Sequence, residues 1–295
     1  MSNQPIFTGA AVAIITPMYE DGTVNYDEFR RIVDDQIEKG TDAIVACGTT
    51  GESSTLTDDE HIEVIRVAVE QANGRVPVIA GTGSNDTAYC IMLSKEAEKV
   101  GADALLLVSP YYNKTSQRGL IAHYKAVAEA VNLPIILYNV PSRTGMNIQP
   151  DTVVELSKIP NIVAIKQASG DFSATARIAA ECDIDIYSGN DDQIVPILAL
   201  GGKGVISVLS NVAPAETHEM CRKWFDGDVQ GSIEMQLKYL ELANAMFCDV
   251  NPIPVKEAMN MLGWNAGPCR MPLYPMDDAN SKKVADTLRK YGLIK

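Results

Sequence analysis

The hydrophobic pattern of the first two thirds of the chain switches repeatedly between two periods. Short apolar runs without polar alternation occur at 10–15, 43–46, 76–80, 104–108, 134–140, 162–165, 184–187 and 204–209, and read as strands buried on both faces. Stretches of helical period lie between them. Residues 26–39 carry Phe29, Ile32, Val33 and Ile37 on one helical face and stop at Gly40. The same reading gives helices over 58–73, 86–100, 117–131, 151–158, 172–182, 192–200 and 214–226. Eight strand–helix units within about 225 residues predict an α/β fold, a parallel sheet closed into a (β/α)8 TIM barrel. A doubly wound open sheet would place a glycine-rich dinucleotide turn after the first strand. Thr16-Pro17-Met18-Tyr19 is not one, and Gly81-Thr-Gly83-Ser-Asn-Asp86 lacks the third glycine and comes after the third strand.

Beyond Gly231 the strand pattern ends. Residues 232–247, 253–262 and 279–291 predict three helices, with Pro268, Pro272 and Pro275 in the last connection, where a helix cannot continue. The expected division is a catalytic barrel over residues 1–230 and a C-terminal helical domain over 231–295.

Composition narrows the chemistry. With 295 residues, 46% of them hydrophobic, the chain can bury a large core. A net charge of −13 argues against nucleic acid or an anionic membrane as partner, and requires local positive groups to hold any anionic substrate. Cys47, Cys90, Cys182, Cys221, Cys248 and Cys269 are scattered without zinc or Cys-x-x-Cys spacing, as expected of reduced thiols in a cytoplasmic protein. No run approaches about 18 uninterrupted apolar residues, so no membrane span is expected, and residues 1–7 lack the basic start of a signal peptide. Asp58, Asp59, Glu60 and Glu63 crowd a helix start, where carboxylates favour the dipole and cap free N–H groups; no metal set emerges.

In such a barrel the reactive site lies at the C-terminal ends of the strands, so the residues at and just after each strand end form the candidate set. The sixth strand runs into Lys166. Burying an unpartnered ammonium is costly or neutralises it, which makes this lysine a candidate amine nucleophile. A lysine just past the strand end, snorkelling into solvent or paired with a carboxylate, fits the same residues. Tyr138, ending the fifth strand, is either a core tyrosine with a satisfied hydroxyl or a proton relay beside an amine. Thr49 and Thr50 are turn formers or, with backbone N–H groups freed by Gly48 and Gly51, a holder for a small carboxylate. Arg143 is a solvated loop residue or a fork-shaped donor to a second carboxylate. Tyr111 and Tyr112 suit interface packing, and Gly189, Asn190, Ile206 and Ser207 complete the rim. His61, His123 and His218 fall within predicted helices, and none is assigned to catalysis.

Gly48-Thr-Thr-Gly-Glu-Ser53, Tyr111-Tyr112-Asn113, Tyr138-Asn-Val-Pro-Ser-Arg-Thr-Gly145 and Ile165-Lys166 together resemble the dihydrodipicolinate synthase family of pyruvate-dependent class I aldolases. The resemblance runs from about Gly9 through Asn251-Pro-Ile-Pro-Val-Lys256 to the C-terminus. It implies condensation of pyruvate with L-aspartate-4-semialdehyde to 4-hydroxy-tetrahydrodipicolinate, in diaminopimelate and lysine biosynthesis. It implies an imine on Lys166, and a proton relay of Tyr138, Thr50 and Tyr112, the last reaching in from a neighbouring subunit. Thr49 and Thr50 would hold the pyruvate carboxylate, Arg143 that of the semialdehyde, with backbone contacts from Gly189 and Ile206. Neither metal nor dissociable cofactor is implied, and self-association is expected as a homotetramer or homodimer.

Lysine-inhibited members of that family bind the effector at positions matching Ser53, Ser54, His61, Asn85 and Tyr111. They commonly carry histidine at the position of Asp58 and glutamate at that of Tyr89. Tyrosine supplies no charge for the effector's ammonium, so weak or absent inhibition by L-lysine is expected. Two alternatives stay open on the sequence. A sister aldolase acting on N-acetylneuraminate or a keto-deoxy sugar acid shares Lys166 and Tyr138 without needing Arg143. A catalytically silent barrel serving as a binding protein keeps the fold and forms no imine.

Overall fold

The computed structural model describes residues 4–295, so Met1–Asn3, part of the N-terminal reading, lie outside the described residues. Eight strands form a closed parallel barrel in sequence order: β1 (Gly9–Ala13), β2 (Ala43–Ala46), β3 (Val78–Gly81), β4 (Ala104–Val108), β5 (Ile135–Asn139), β6 (Ile162–Gln167), β7 (Asp185–Ser188) and β8 (Gly204–Ser207). Closure is made by β1 pairing with β8, Ala11 opposite Ile206. The expected (β/α)8 TIM barrel is therefore the fold.

Strand alternation divides the core into two compartments. Ala11, Ala13, Ala43, Val45, Ile79, Leu106, Ile136, Ala164 and Ile206 fill the barrel interior. The intervening residues, among them Val12, Ile44, Ala80, Leu105, Leu137 and Ile165, pack outward against the helices. Both sets are apolar because both faces are buried, which is why the strands read as unbroken runs. The end of the barrel opposite the site is plugged by Phe7, stacked on Tyr187 at 4.3 Å, while the Tyr187 hydroxyl donates to the Phe7 carbonyl at 2.7 Å.

Several boundaries differ from the sequence reading, for physical reasons. β6 continues to Gln167, so Lys166 is inside the strand and not past its end. The helix expected over 192–200 divides into a 3-10 turn at Asp191–Gln193 and a helix at Ile194–Ala199. Pro196 has no N–H to give the carbonyl of Asp192, and a later start puts it in the first turn, where that donor is not needed. A short helix at Pro141–Thr144, begun by its proline, occupies what read as loop and carries Arg143.

The C-terminal helices span Val229–Ala245, Ile253–Met261 and Asp278–Lys290. Asp228 caps the first of them by accepting from the Gly231 N–H at 2.9 Å, so the boundary expected at 230/231 falls inside its first turn. This helix is bound to the barrel by polar contacts as well as packing. Ser232 donates to the Met220 carbonyl at 2.7 Å, and Gln236 both accepts from Val195 N–H at 3.1 Å and donates to the Asp191 carbonyl at 2.8 Å. Among the described residues no helix is long and apolar enough to cross a membrane. All six cysteines are free.

Candidate active site

Parallel register places Lys166 of β6 directly beside Tyr138 of β5, both on the inward face. The Lys166 amine lies 4.4 Å from the centre of the Tyr138 ring. Lys166 is only 5% exposed, and no carboxylate among the described residues is within ion-pair distance of it. Removal from water pulls its pKa down from 10.5 to about 8; the Asp191 charge opposes that shift, and the Arg143 guanidinium reinforces it. Burial raises the Tyr138 phenol, opposed by Arg143 and by a hydrogen bond with Thr49. A partly deprotonated amine beside a protonated phenol is the pair that carbonyl addition and dehydration require.

The loop after β2 brings Thr49 and Thr50 over this pair, and both line a cavity of about 200 Å³ with Tyr138, Arg143, Lys166 and Gly189. Thr50 is buried and its Oγ accepts from Asn251 Nδ2 at 3.0 Å. Arg143 donates from Nη2 to the Asn251 carbonyl at 2.9 Å, which steers its guanidinium across the cavity mouth. Gly189 allows the loop after β7 to close on β6: its N–H donates to the Gln167 carbonyl at 2.8 Å, and a Cβ there would sit 2.6 Å from that of Ala168. Two cations, two hydroxyl-bearing loop residues and a phenol around a small cavity can bind a pair of carboxylates and form an imine.

The structure brings together Lys166, Tyr138, Thr49, Thr50, Arg143 and Gly189, and leaves two expected residues outside. Ile206 is wholly buried in β8 and does not line the cavity. Tyr112 is 92% exposed, at a φ of +66°, and is likewise absent from the cavity wall of its own chain. Three residues are present that the sequence reading does not single out: Asn251 and Phe247 line the cavity, and Asp191 lies behind it. Asp191 is buried, with Oδ2 accepting from the Val208 and Leu209 N–H groups at 3.0 and 2.9 Å, and burial raises its pKa. Asn251 opens the Asn251-Pro-Ile-Pro-Val-Lys256 stretch, so its position is visible in the sequence; Asp191 sits where the pattern shows only an ordinary helix start.

None of the three histidines reaches the cavity. His61 Nε2 pairs with the Gly81 carbonyl at 2.8 Å, His123 Nδ1 with Thr87 Oγ at 2.9 Å, and His218 Nδ1 with Asp42 at 2.9 Å. Burial holds His61 and His123 below the usual imidazole range. Thr57 and Glu60 form a capping box, and Arg270, donating to Glu60 at 2.7 Å, holds that carboxyl down to about 2. No three His, Cys, Asp or Glu side chains among the described residues converge as metal ligands. Ser53 and Ser54 sit in a 3-10 turn, Ser53–Thr55, two residues before the helix that carries Asp58 and His61. The Asn85 carbonyl accepts from Asn113 at 2.9 Å, and Tyr111 is partly buried. The Tyr89 hydroxyl donates to Asp58 at 2.6 Å, and burial together with that carboxylate pushes the phenol up to about 12.

A model of the dihydrodipicolinate synthetase family matches residues 6–291. Among similar proteins, a 4-hydroxy-tetrahydrodipicolinate synthase of Lachnoclostridium phytofermentans is 56% identical over 292 residues, spanning 98% of this chain and 99% of that one. The crystal structure of a chloride-inhibited dihydrodipicolinate synthase of Acinetobacter baumannii complexed with pyruvate superposes with a TM-score of 0.95. It is 46% identical and covers 97% of this chain and 99% of its own. The corresponding structure from Cyanidioschyzon merolae with lysine bound gives a TM-score of 0.96 at 39% identity, covering 99% and 100%.

An amine with its pKa near 8 loses reactivity about tenfold per pH unit below that value and gains little above it. Reductive alkylation of Lys166 by a small aldehyde, mapped by peptide mass, should rise between about pH 6 and pH 8 and be flat by about pH 9.5. Labelling of Lys166 that still climbs in proportion to hydroxide above that pH would show an ordinary surface ammonium.

Proposed function

Because this chain belongs to the dihydrodipicolinate synthetase family, we infer that it condenses pyruvate with L-aspartate-4-semialdehyde, giving 4-hydroxy-tetrahydrodipicolinate for diaminopimelate and lysine synthesis. The observation that carries the reading at the level of residues is the buried Lys166 amine set against Tyr138. The free amine adds to the pyruvate carbonyl carbon, and loss of water leaves a protonated imine. Tyr138 takes a proton from the lysine nitrogen after addition and gives protons to the carbinolamine oxygen, which departs as water, with Thr50 passing protons between Tyr138 and its surroundings. The cationic nitrogen then draws electrons from the methyl group, which loses a proton and attacks the aldehyde carbon as an enamine. The amino group of the semialdehyde closes the ring on the imine carbon and expels the Lys166 amine. The electron sink is the imine itself, so this sequence calls for no metal or dissociable cofactor.

Thr49 and Thr50 are read as the holders of the pyruvate carboxylate, and Arg143 as the donor to the carboxylate of the semialdehyde. Gly189 completes the surroundings of the lysine, and Ile206, buried in β8, backs the cavity from within the barrel. Tyr112, exposed and absent from the wall of its own cavity, is read as the relay member supplied to a neighbouring copy, in a homotetramer or homodimer. The enzyme is placed in the cytoplasm with its metabolites, without nucleic-acid or membrane partners.

Borohydride added with pyruvate should attach a pyruvate-derived group to the peptide containing Lys166. An Arg143→Ala chain should keep that adduct while its KM for the semialdehyde rises at least tenfold. No adduct in folded protein would reject the aldolase reading and promote the silent barrel; turnover of N-acetylneuraminate in place of condensation would promote the sister activity.

Tyr112 is tested by mixing. Lys166→Ala and Tyr112→Phe chains, each poorly active alone, should regain activity when co-assembled, since one site type then receives an intact lysine and a neighbour's intact tyrosine. Absence of any recovery in verified mixed oligomers would confine the relay to one chain.

Tyr89 engaged with Asp58 leaves the candidate effector region of Ser53, Ser54, His61, Asn85 and Tyr111 without a free carboxylate at that position. L-lysine at about 1 mM should therefore leave turnover nearly unchanged, a small response in keeping with the loss of one charge-assisted contact. Half-inhibition well below that concentration would contradict this reading.

A further inference from the structure

The loop that carries Thr49 and Thr50 is clamped from outside the barrel. At its far end Glu52 adopts a left-handed conformation, φ +56° and ψ +34°, and its side chain is only 1% exposed. At its near end Cys47 is also left-handed, at φ +54°. Non-glycine residues hold such conformations only where the surroundings over-determine them. For Glu52 those surroundings are C-terminal. Lys256 Nζ, 2% exposed, donates to Glu52 Oε1 at 2.8 Å and to the Pro268 carbonyl at 2.7 Å, and the Arg270 N–H donates to Glu52 Oε2 at 2.8 Å. Asn251, just before the helix Ile253–Met261 that carries Lys256, holds Thr50 through its side-chain amide. One stretch of chain, 251–256, thus grips the loop at both Thr50 and Glu52.

A buried ion pair is a poor device for stability alone, because apolar or neutral replacements of similar size are often equally stable. Its directional contacts suit a different task. We propose that the buried Glu52–Lys256 pair is a positioning device for the relay loop, through which the C-terminal helices set where the Thr50 hydroxyl stands over Lys166 and Tyr138. The two residues touch neither cavity nor substrate; they act through Thr50. The proposal rests on the reading of Thr50 as a relay member.

The test replaces both charges together, so that neither is left buried alone. The double variant Glu52→Gln, Lys256→Met should fold with an unfolding temperature close to that of the parent chain. Pyruvate and borohydride should still label Lys166, while kcat for condensation falls at least tenfold per folded site. In a Thr50→Val background the same double change should cost less than about threefold, because the residue it positions is already gone. A folded double variant with kcat within twofold of the parent overturns the proposal. So does an undiminished loss in the Thr50→Val background, which would show that the pair acts by another route. Failure of the parent chain itself to form the adduct would instead sink the aldolase reading and leave the pair without this role. If the double variant does not fold, Glu52→Asp with Lys256→Arg retains both charges but moves the anchor by about one methylene, and the same kcat and Thr50→Val comparisons decide.

Discussion

An amine kept out of water without a carboxylate beside it is the constraint around which the molecule is built. Lowering the Lys166 pKa from 10.5 to about 8 corresponds to roughly 3 kcal/mol against its protonated form, a cost that only a rigid surrounding can sustain. A loop would relax and hydrate the ammonium. A strand inside a closed barrel cannot, because its backbone is bonded on both sides and its neighbours are fixed by register. β6 lies between β5 and β7, and that placement gives the lysine its phenol on one side and the paired β7 backbone on the other. The Asp191 charge keeps the shift from going further, so that near neutrality most of the amine is still protonated and a minor, usable share is free.

Charge balance at the site runs opposite to that of the whole protein. A net charge of −13 repels the anionic substrates of the proposed reaction, whereas the cavity holds two cationic side chains and aims an arginine across its mouth. Selectivity for small carboxylates therefore resides in a few ångströms of fixed geometry, and the chain invests its rigidity there. The strand residues Lys166 and Tyr138 are rigid by construction. The loop residues Thr49 and Thr50 are rigid because something else grips them, at the expense of roughly 1–2 kcal/mol for each left-handed residue that brackets the loop.

Legibility in the sequence divides along the same line. The barrel is readable because strands buried on both faces give unbroken apolar runs, and because intervening helices keep one apolar stripe. Lys166 reads as a residue past its strand, since a charge ends an apolar run whether or not the hydrogen-bond ladder ends there. Its neighbour Tyr138 is found from its place at a strand end, but their adjacency is a matter of register between β5 and β6, which no local pattern encodes. The clamp is least legible of all. Glu52 and Lys256 are separated by most of the chain, and although each falls in a stretch that carries the family resemblance, no local pattern pairs them. The boundary at Gly231 is displaced for a simpler reason: the cap that starts the helix is Asp228, three residues before the point where the strand pattern ends.

The grip of residues 251–256 on the loop after β2 also gives the direction of synthesis a chemical meaning. Every strand that supplies the amine and the phenol leaves the ribosome before the segment that holds the Thr50 hydroxyl in place. During that interval the barrel sequence is complete while the loop over its strand ends is not yet held. A chain that stops before residue 251 would carry the strands of Lys166 and Tyr138 without the contacts that fix the Thr50 hydroxyl beside them. The strands thus set the amine and the phenol, and the helices added after them set the loop that faces both.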